Sequence, residues 1–224
     1  MGNNEIRQAP RIGLVHAVQL AMAPVQAAFR ECWPEANLMN VLDDSLPGDL
    51  EAAGCIKPEM TARFESLIRY CMGQRADAVL FTCSAFGPAI EAAARTVNIP
   101  VLKPNEAMFE QALSCGKRVG MIATFQPAVA PMEAEFYAQA KAMGVEATIQ
   151  THCFPEALNA AKAGDYACHN RIVADAAAQL RDVDVLLLAH FSMVPALDVV
   201  KQSVSVPVLT SPHAAVEKLR ACLA

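Results

Sequence analysis

The sequence predicts an α/β protein built from two doubly wound units related by an approximate two-fold. Each unit carries a four-stranded parallel sheet, and the functional site is expected in the cleft between them. The first observation behind this is a repeat. Arg11-Ile-Gly-Leu-Val returns as Arg118-Val-Gly-Met-Ile, Ala76-Asp-Ala-Val-Leu as Val183-Asp-Val-Leu-Leu, and Ile99-Pro-Val-Leu as Val206-Pro-Val-Leu, each 107 residues further on. Apolar strands resemble one another by chance, but three separate blocks held at one offset divide the chain into equal halves, 11–117 and 118–224. The second observation is a set of nearly continuous apolar runs, such as Val79-Leu80-Phe81 and Val185-Leu186-Leu187-Leu188, which suit parallel strands covered on both faces. The third is composition. With 54% hydrophobic and 18% charged residues, the chain has the apolar content of a compact α/β core and no tail rich in like charges.

Each half reads as strand and helix alternating four times. Strands are expected near 12–16, 38–42, 77–82 and 99–103, and again near 119–123, 145–149, 184–189 and 206–210. Pro58 to Gln74 carries Met60, Phe64, Leu67, Ile68 and Cys71 at helical spacing, and Asp165 to Arg181 repeats this with Ile172, Val173, Ala176 and Leu180. Trp33 and Cys32 fall on a helix away from the strand ends and are assigned to packing. The expected lobes are 1–104 with 210–224, and 105–209.

A net charge of -5 without any Lys/Arg run argues against nucleic acid and favours a small-molecule ligand. No stretch approaches the roughly 18 apolar residues of a membrane span. The N-terminal MGNNEIRQAPR lacks the apolar core of a signal peptide, so a cytoplasmic location is expected. The eight cysteines form no C-x-x-C pair and no zinc spacing, which makes a disulfide framework or metal cage an unexpected use for them. Oligomeric state is open, a homo-oligomer included.

Ligands of such sheets bind beyond the carboxyl ends of the strands. The third strand of the first half ends in Thr82-Cys83-Ser84-Ala85-Phe86-Gly87, and Pro88 then opens a helix. The free N–H groups of that turn favour an anion and a thiolate, so Cys83 is a candidate reactive thiol as against a packing cysteine. The same place in the second half reads Ala189-His190-Phe191-Ser192-Met193, with Pro195 expected to open the helix. His190 is thus the repeat partner of Cys83, and two halves facing each other put a thiol and an imidazole on opposite sides of one ligand.

The two-fold repeat, with TCSAFG after the third strand and a matching turn in the other half, resembles the aspartate/glutamate racemase superfamily over essentially all of 11–224. That superfamily includes glutamate, aspartate and hydantoin racemases, maleate isomerase and arylmalonate decarboxylase. The resemblance implies proton transfer at the α-carbon of a small carboxylate between one cysteine in each half, without metal, pyridoxal phosphate or nucleotide. Cys83 matches the first cysteine. Where the family usually has Gly-Cys-Thr, this chain has Ala189-His190-Phe191.

A racemase or isomerase using Cys83 and His190 is the leading expectation. A decarboxylase of a substituted malonate needing only one thiol is the alternative, and a carboxylate-binding protein without turnover is another. Ser84, Ala85, Thr124, Phe191, Ser192, His16 and His213 are the expected substrate contacts, Thr124 because it resembles a family carboxylate contact. Phe86, Phe125 and Phe191 are candidates for an apolar wall. Asp43 and Asp44 end the second strand, where a turn role outweighs orientation of a base.

Overall fold

The computed structural model describes residues 9–224, so the first eight residues of the polar N-terminal stretch lie outside them. The first half contains β1 (Arg11–His16), α1 (Met22–Cys32), β2 (Asn37–Leu42), α2 (Leu46–Ala53), α3 (Pro58–Gly73), β3 (Ala78–Phe81), α4 (Gly87–Ala94), β4 (Val101–Leu102) and α5 (Glu106–Cys115). The second contains β5 (Arg118–Ala123), α6 (Gln126–Met143), β6 (Thr148–Cys153), α7 (Pro155–Lys162), α8 (Tyr166–Gln179), β7 (Val185–Leu188), α9 (Leu197–Ser203), β8 (Val208–Thr210) and α10 (Ser211–Leu223). Two four-stranded sheets result, ordered β2-β1-β3-β4 and β6-β5-β7-β8, with every pair parallel. In each sheet the order reverses between the two central strands, β1 and β3 or β5 and β7. That places a ligand crevice at their carboxyl ends.

Strand alternation sorts the core into faces. Ile12, Leu14, Ala78 and Leu80 pack under α1 with Val25 and Phe29, while Val15, Val79 and Phe81 pack under α3 and α4 with Phe64, Ile68, Ala89 and Ile90. Gly13 in β1 is required by close approach. A Cβ there would stand 2.8 Å from the Cys71 sulfur of α3, nearer than any real contact allows.

The halves exchange their last helices. Ala215, Val216 and Leu219 of α10 lie in the core of the first sheet, and Ala107, Met108, Phe109 and Ala112 of α5 lie in the core of the second with Met121, Phe136 and Leu187. Neither sheet is therefore covered by its own repeat alone.

One strand departs from its expected position. β6 spans Thr148–Cys153 instead of 145–149, because α6 runs for 18 residues against 11 in α1. Gly144 stops α6 in a left-handed conformation, and Val145 is still bonded to the last helical turn through Ala140. The shift is recovered before β7, so β3 and β7 again stand 107 residues apart. Pro195 also differs, since it lies inside a 3-10 turn, Phe191–Ala196, and the helix proper starts at Leu197. No described helix is long and apolar enough to cross a membrane.

Candidate functional site

Cys83 and His190 each stand two residues beyond the end of a central strand and each precede a 3-10 turn. Their backbones match, with φ -117° and ψ 121° at Cys83 and φ -119° and ψ 145° at His190. The repeat thus reproduces local geometry while changing the side chain. The halves meet here, because Ser84 Oγ of the first lies 3.3 Å from His190 Nδ1 of the second.

His190 is half-buried, and its Nε2 is fully buried with no hydrogen-bond partner. Two tautomers are open to it. If Nδ1 carries the proton it donates to Ser84 Oγ and leaves a bare acceptor at Nε2; the reverse leaves a buried N–H without an acceptor, which is the costlier orphan. Burial pulls the His190 pKa down to about 4, so at neutral pH the ring is uncharged. The site therefore presents an unshared lone pair.

Cys83 faces the opposite pressure. The Ala85 N–H bonds to its sulfur as the turn geometry leads one to expect, yet burial outweighs it and pushes the thiol up to about 11. In place of the thiolate expected from the turn, the resting protein holds a neutral S–H. Ser84 and Ala85 are themselves buried in the turn.

Thr124 follows β5, which pairs with β7 through Ile122 and Leu188, so Thr124 and His190 are each two residues past the same rung. Its hydroxyl is buried and unpartnered. On the far side of β7, Ser211 Oγ donates to Asn105 Oδ1 at 2.6 Å while Asn105 Nδ2 lacks a partner. Asn105 and Ser211 were not anticipated from sequence. The available signal was their placement just beyond β4 and β8, after strands that are themselves repeat-related.

A half-buried ion pair also crosses between the halves. Lys103, just past β4, lies 3.1 Å from Glu135 of α6, whose other oxygen approaches the position of a Cβ on Gly87 to 3.5 Å. Burial raises the Glu135 pKa and Lys103 opposes it. The start of the helix after Cys83 thus packs against α6 of the other half.

Several expected contacts belong elsewhere. Phe191 is buried in the first half's core beside Ile12, Leu14 and Val25, and Phe86 packs on Phe64 with ring centroids 5.1 Å apart, so neither forms a cleft wall. Phe125 is exposed at the start of α6, and Ser192 is half-buried beside His190. His213 has both ring nitrogens occupied, by Thr210 at 2.7 Å and by Glu31 at 3.0 Å. His16 is fully buried between Thr82 and Asn40. Asp43 accepts an ion-pair hydrogen bond from Arg63, which also bonds Asp49 at 2.6 Å, and this keeps it in the turn. Trp33 stacks on Phe29 at 6.1 Å, and Cys32 packs on the same cluster, as assigned from sequence.

Two parallel four-stranded sheets with their last helices exchanged define the fold. Residues 55–150 match the family model Asp/Glu/hydantoin racemase. Among solved structures, the chain is similar to a glutamate racemase isoform from Bacillus anthracis at 15% identity and TM-score 0.73, covering 96% of this chain and 82% of the other. It is similar to allantoin racemase from Klebsiella pneumoniae at 15% identity and TM-score 0.71, with 96% and 88% covered. A mutant of arylmalonate decarboxylase in a sulfate-associated form is similar at 16% identity and TM-score 0.64, with 96% and 95% covered. No curated protein sequence matches the chain. Over residues 55–150 the chain thus resembles the Asp/Glu/hydantoin racemase family, and over nearly its whole length it has the two-sheet α/β fold of the racemase structures.

Proposed function

We propose that this protein is a racemase or isomerase that moves a proton at the α-carbon of a small carboxylate, with His190 and Cys83 acting from opposite faces. The observation that carries this reading is the buried, unpartnered Nε2 of His190 at the repeat position of Cys83. In the first step the Nε2 lone pair takes the α-proton, and the C–H electrons pass into an enediolate on the substrate carboxylate. In the second, the enediolate carbon takes the proton of the Cys83 S–H, and the bond electrons remain as thiolate. Proton exchange with solvent then restores neutral imidazole and thiol. The resting protonation states suit this order, because a depressed imidazole and a raised thiol are already base and acid.

The enediolate carries the charge that the site must hold. The Thr124 hydroxyl and those N–H groups of the turn after Cys83 that do not bond its sulfur are the donors proposed for it. The structural neighbours, a glutamate racemase and an allantoin racemase, support an amino acid or a hydantoin-like compound as the substrate class. The reading is tested by incubating the protein in deuterated water with such compounds and following loss of the α-proton by NMR. Cys83→Ala and His190→Ala should each abolish exchange.

A second reading is favoured by one observation, the neutral Cys83 thiol with no thiol opposite it. A decarboxylase needs only such a donor, since loss of carbon dioxide leaves the carbanion that the S–H protonates. Turnover of a substituted malonate that survives His190→Ala and is lost in Cys83→Ala would select this reading. Carboxylate binding without either activity would select a binding protein instead.

A further inference from the structure

His16 ends β1 and Thr82 precedes Cys83, and the two stand on neighbouring strands with Nδ1 and Oγ1 2.9 Å apart. On its other side His16 Nε2 lies 3.1 Å from Asn40 Oδ1 of β2, and Gln26 Nε2 of α1 lies 3.2 Å from the same oxygen. Side chains of His16, Thr82 and Asn40 share the α1 face of the first sheet, by the alternation that places Leu14 and Leu80 there. The imidazole is fully buried.

With the amides as placed, each proton has one destination. Gln26 donates to Asn40 Oδ1, His16 Nε2–H donates to the same oxygen, and the Thr82 hydroxyl donates to bare Nδ1 in preference to Val15 O at 3.4 Å. The other tautomer would set bare Nε2 against Asn40 Oδ1, acceptor against acceptor. The hydrogen-bonded chain thus links a half-buried side chain of α1 with the residue before the thiol.

Nothing similar exists in the second half. The repeat positions of His16 and Thr82 are Ala123 and Ala189, neither of which has a side-chain hydrogen bond to offer. At the end of β7 the tie runs instead to the backbone, where Ser211 Oγ donates to Ala189 O at 3.5 Å.

We propose that His16, as its neutral Nε2–H tautomer, is a positioning residue for Cys83, holding the carboxyl end of β3 through Thr82 so that the thiol turn keeps one orientation. The positioning role rests on the proton-transfer reading above; the tautomer and the rigidity of the turn do not. Burial keeps the His16 pKa below its ordinary value, in line with a neutral ring.

The test uses the full chain. Long-range ¹H–¹⁵N correlation of the imidazoles at pH 7 should show the Nε2–H form for His16, and an Nδ1–H form or a charged ring overturns the hydrogen-bonded chain. Thr82→Val, which removes the hydroxyl and nearly keeps the shape, should raise the rate of Cys83 alkylation by iodoacetamide at pH 8 several-fold. It should also lower kcat at least tenfold with KM nearly unchanged, while His16→Gln, able to accept from Thr82 and donate to Asn40, retains most of kcat. An unchanged alkylation rate in Thr82→Val overturns the positioning role even if no substrate turns over. Turnover that is absent in the wild-type protein, with the tautomer and alkylation results as expected, refutes the proton-transfer reading and leaves the hydrogen-bonded chain standing.

Discussion

Ser84 Oγ and His190 Nδ1, 3.3 Å apart, join the two halves at their repeat-related strand ends, and this contact sets which imidazole nitrogen is free. Ser84→Ala removes the acceptor for Nδ1–H and frees the ring to take the other tautomer. One hydrogen bond of about 1.5 kcal/mol corresponds to roughly tenfold in rate. Steady-state kinetics of the variant should show kcat down by about that factor, and Ser84→Thr should recover much of it.

Cys83 should be slow towards iodoacetamide at pH 7. Only the thiolate attacks, and burial has pushed this thiol up to about 11. Its labelling, followed by peptide mass spectrometry, should lag behind that of the exposed Cys55, Cys115 and Cys222 and should rise about tenfold per pH unit up to about 11. Preferential labelling of Cys83 at neutral pH would show that the Ala85 N–H prevails over burial.

His190 should make stability depend on pH in a defined window. The unfolded chain protonates the ring near its ordinary value of 6.5 and the native state only near 4, so between these the unfolded state binds more protons and stability falls as pH falls. The loss begins near pH 6.5, is complete near pH 4, and amounts to at most about 3 kcal/mol. Urea unfolding at pH 7 and pH 4.5 should show this component in the wild-type protein and its absence in His190→Gln.

Phe191 should behave as a core residue. It leaves the second half's turn to fill a place beside Ile12, Leu14 and Val25, so Phe191→Ala opens a cavity in the first half's core. The expected loss is about 3–5 kcal/mol in urea unfolding. A change confined to substrate KM would return Phe191 to the cleft wall.

The repeat was legible because strands and the turns after them hold one offset, and with it came the two four-stranded parallel sheets and the repeat equivalence of Cys83 and His190. The β6 error came from length. Four residues inserted around a helix and removed before the next leave the flanking offset intact, so the local slip is invisible from the blocks that define it. Side of burial was less legible than position. Phe86 and Phe191 follow the residues of interest directly, but a turn sends successive side chains in different directions, and adjacency gives no face. His16 was placed at a strand end correctly, whereas its partners come from strands 24 and 66 residues away and appear only when the sheet is assembled. Asn40 offered a hint, as a polar residue inside the strand NLMNVL.

The upward pressure of burial on the Cys83 thiol was hidden for a related reason. A helix N-terminus can be read from Pro88 and the strand before it, but desolvation depends on what surrounds the sulfur in three dimensions.

The central claim, that Cys83 and His190 exchange protons with one α-carbon from opposite faces, is tested most directly by α-proton exchange in deuterated water. Amino acids, hydantoins and substituted malonates are offered in turn to the wild-type protein, Cys83→Ala and His190→Ala, with ¹H NMR of the α-position as the readout. The wild-type protein is expected to wash out the α-proton of at least one of these compounds, and both variants to leave it in place; exchange persisting in both variants would contradict the account.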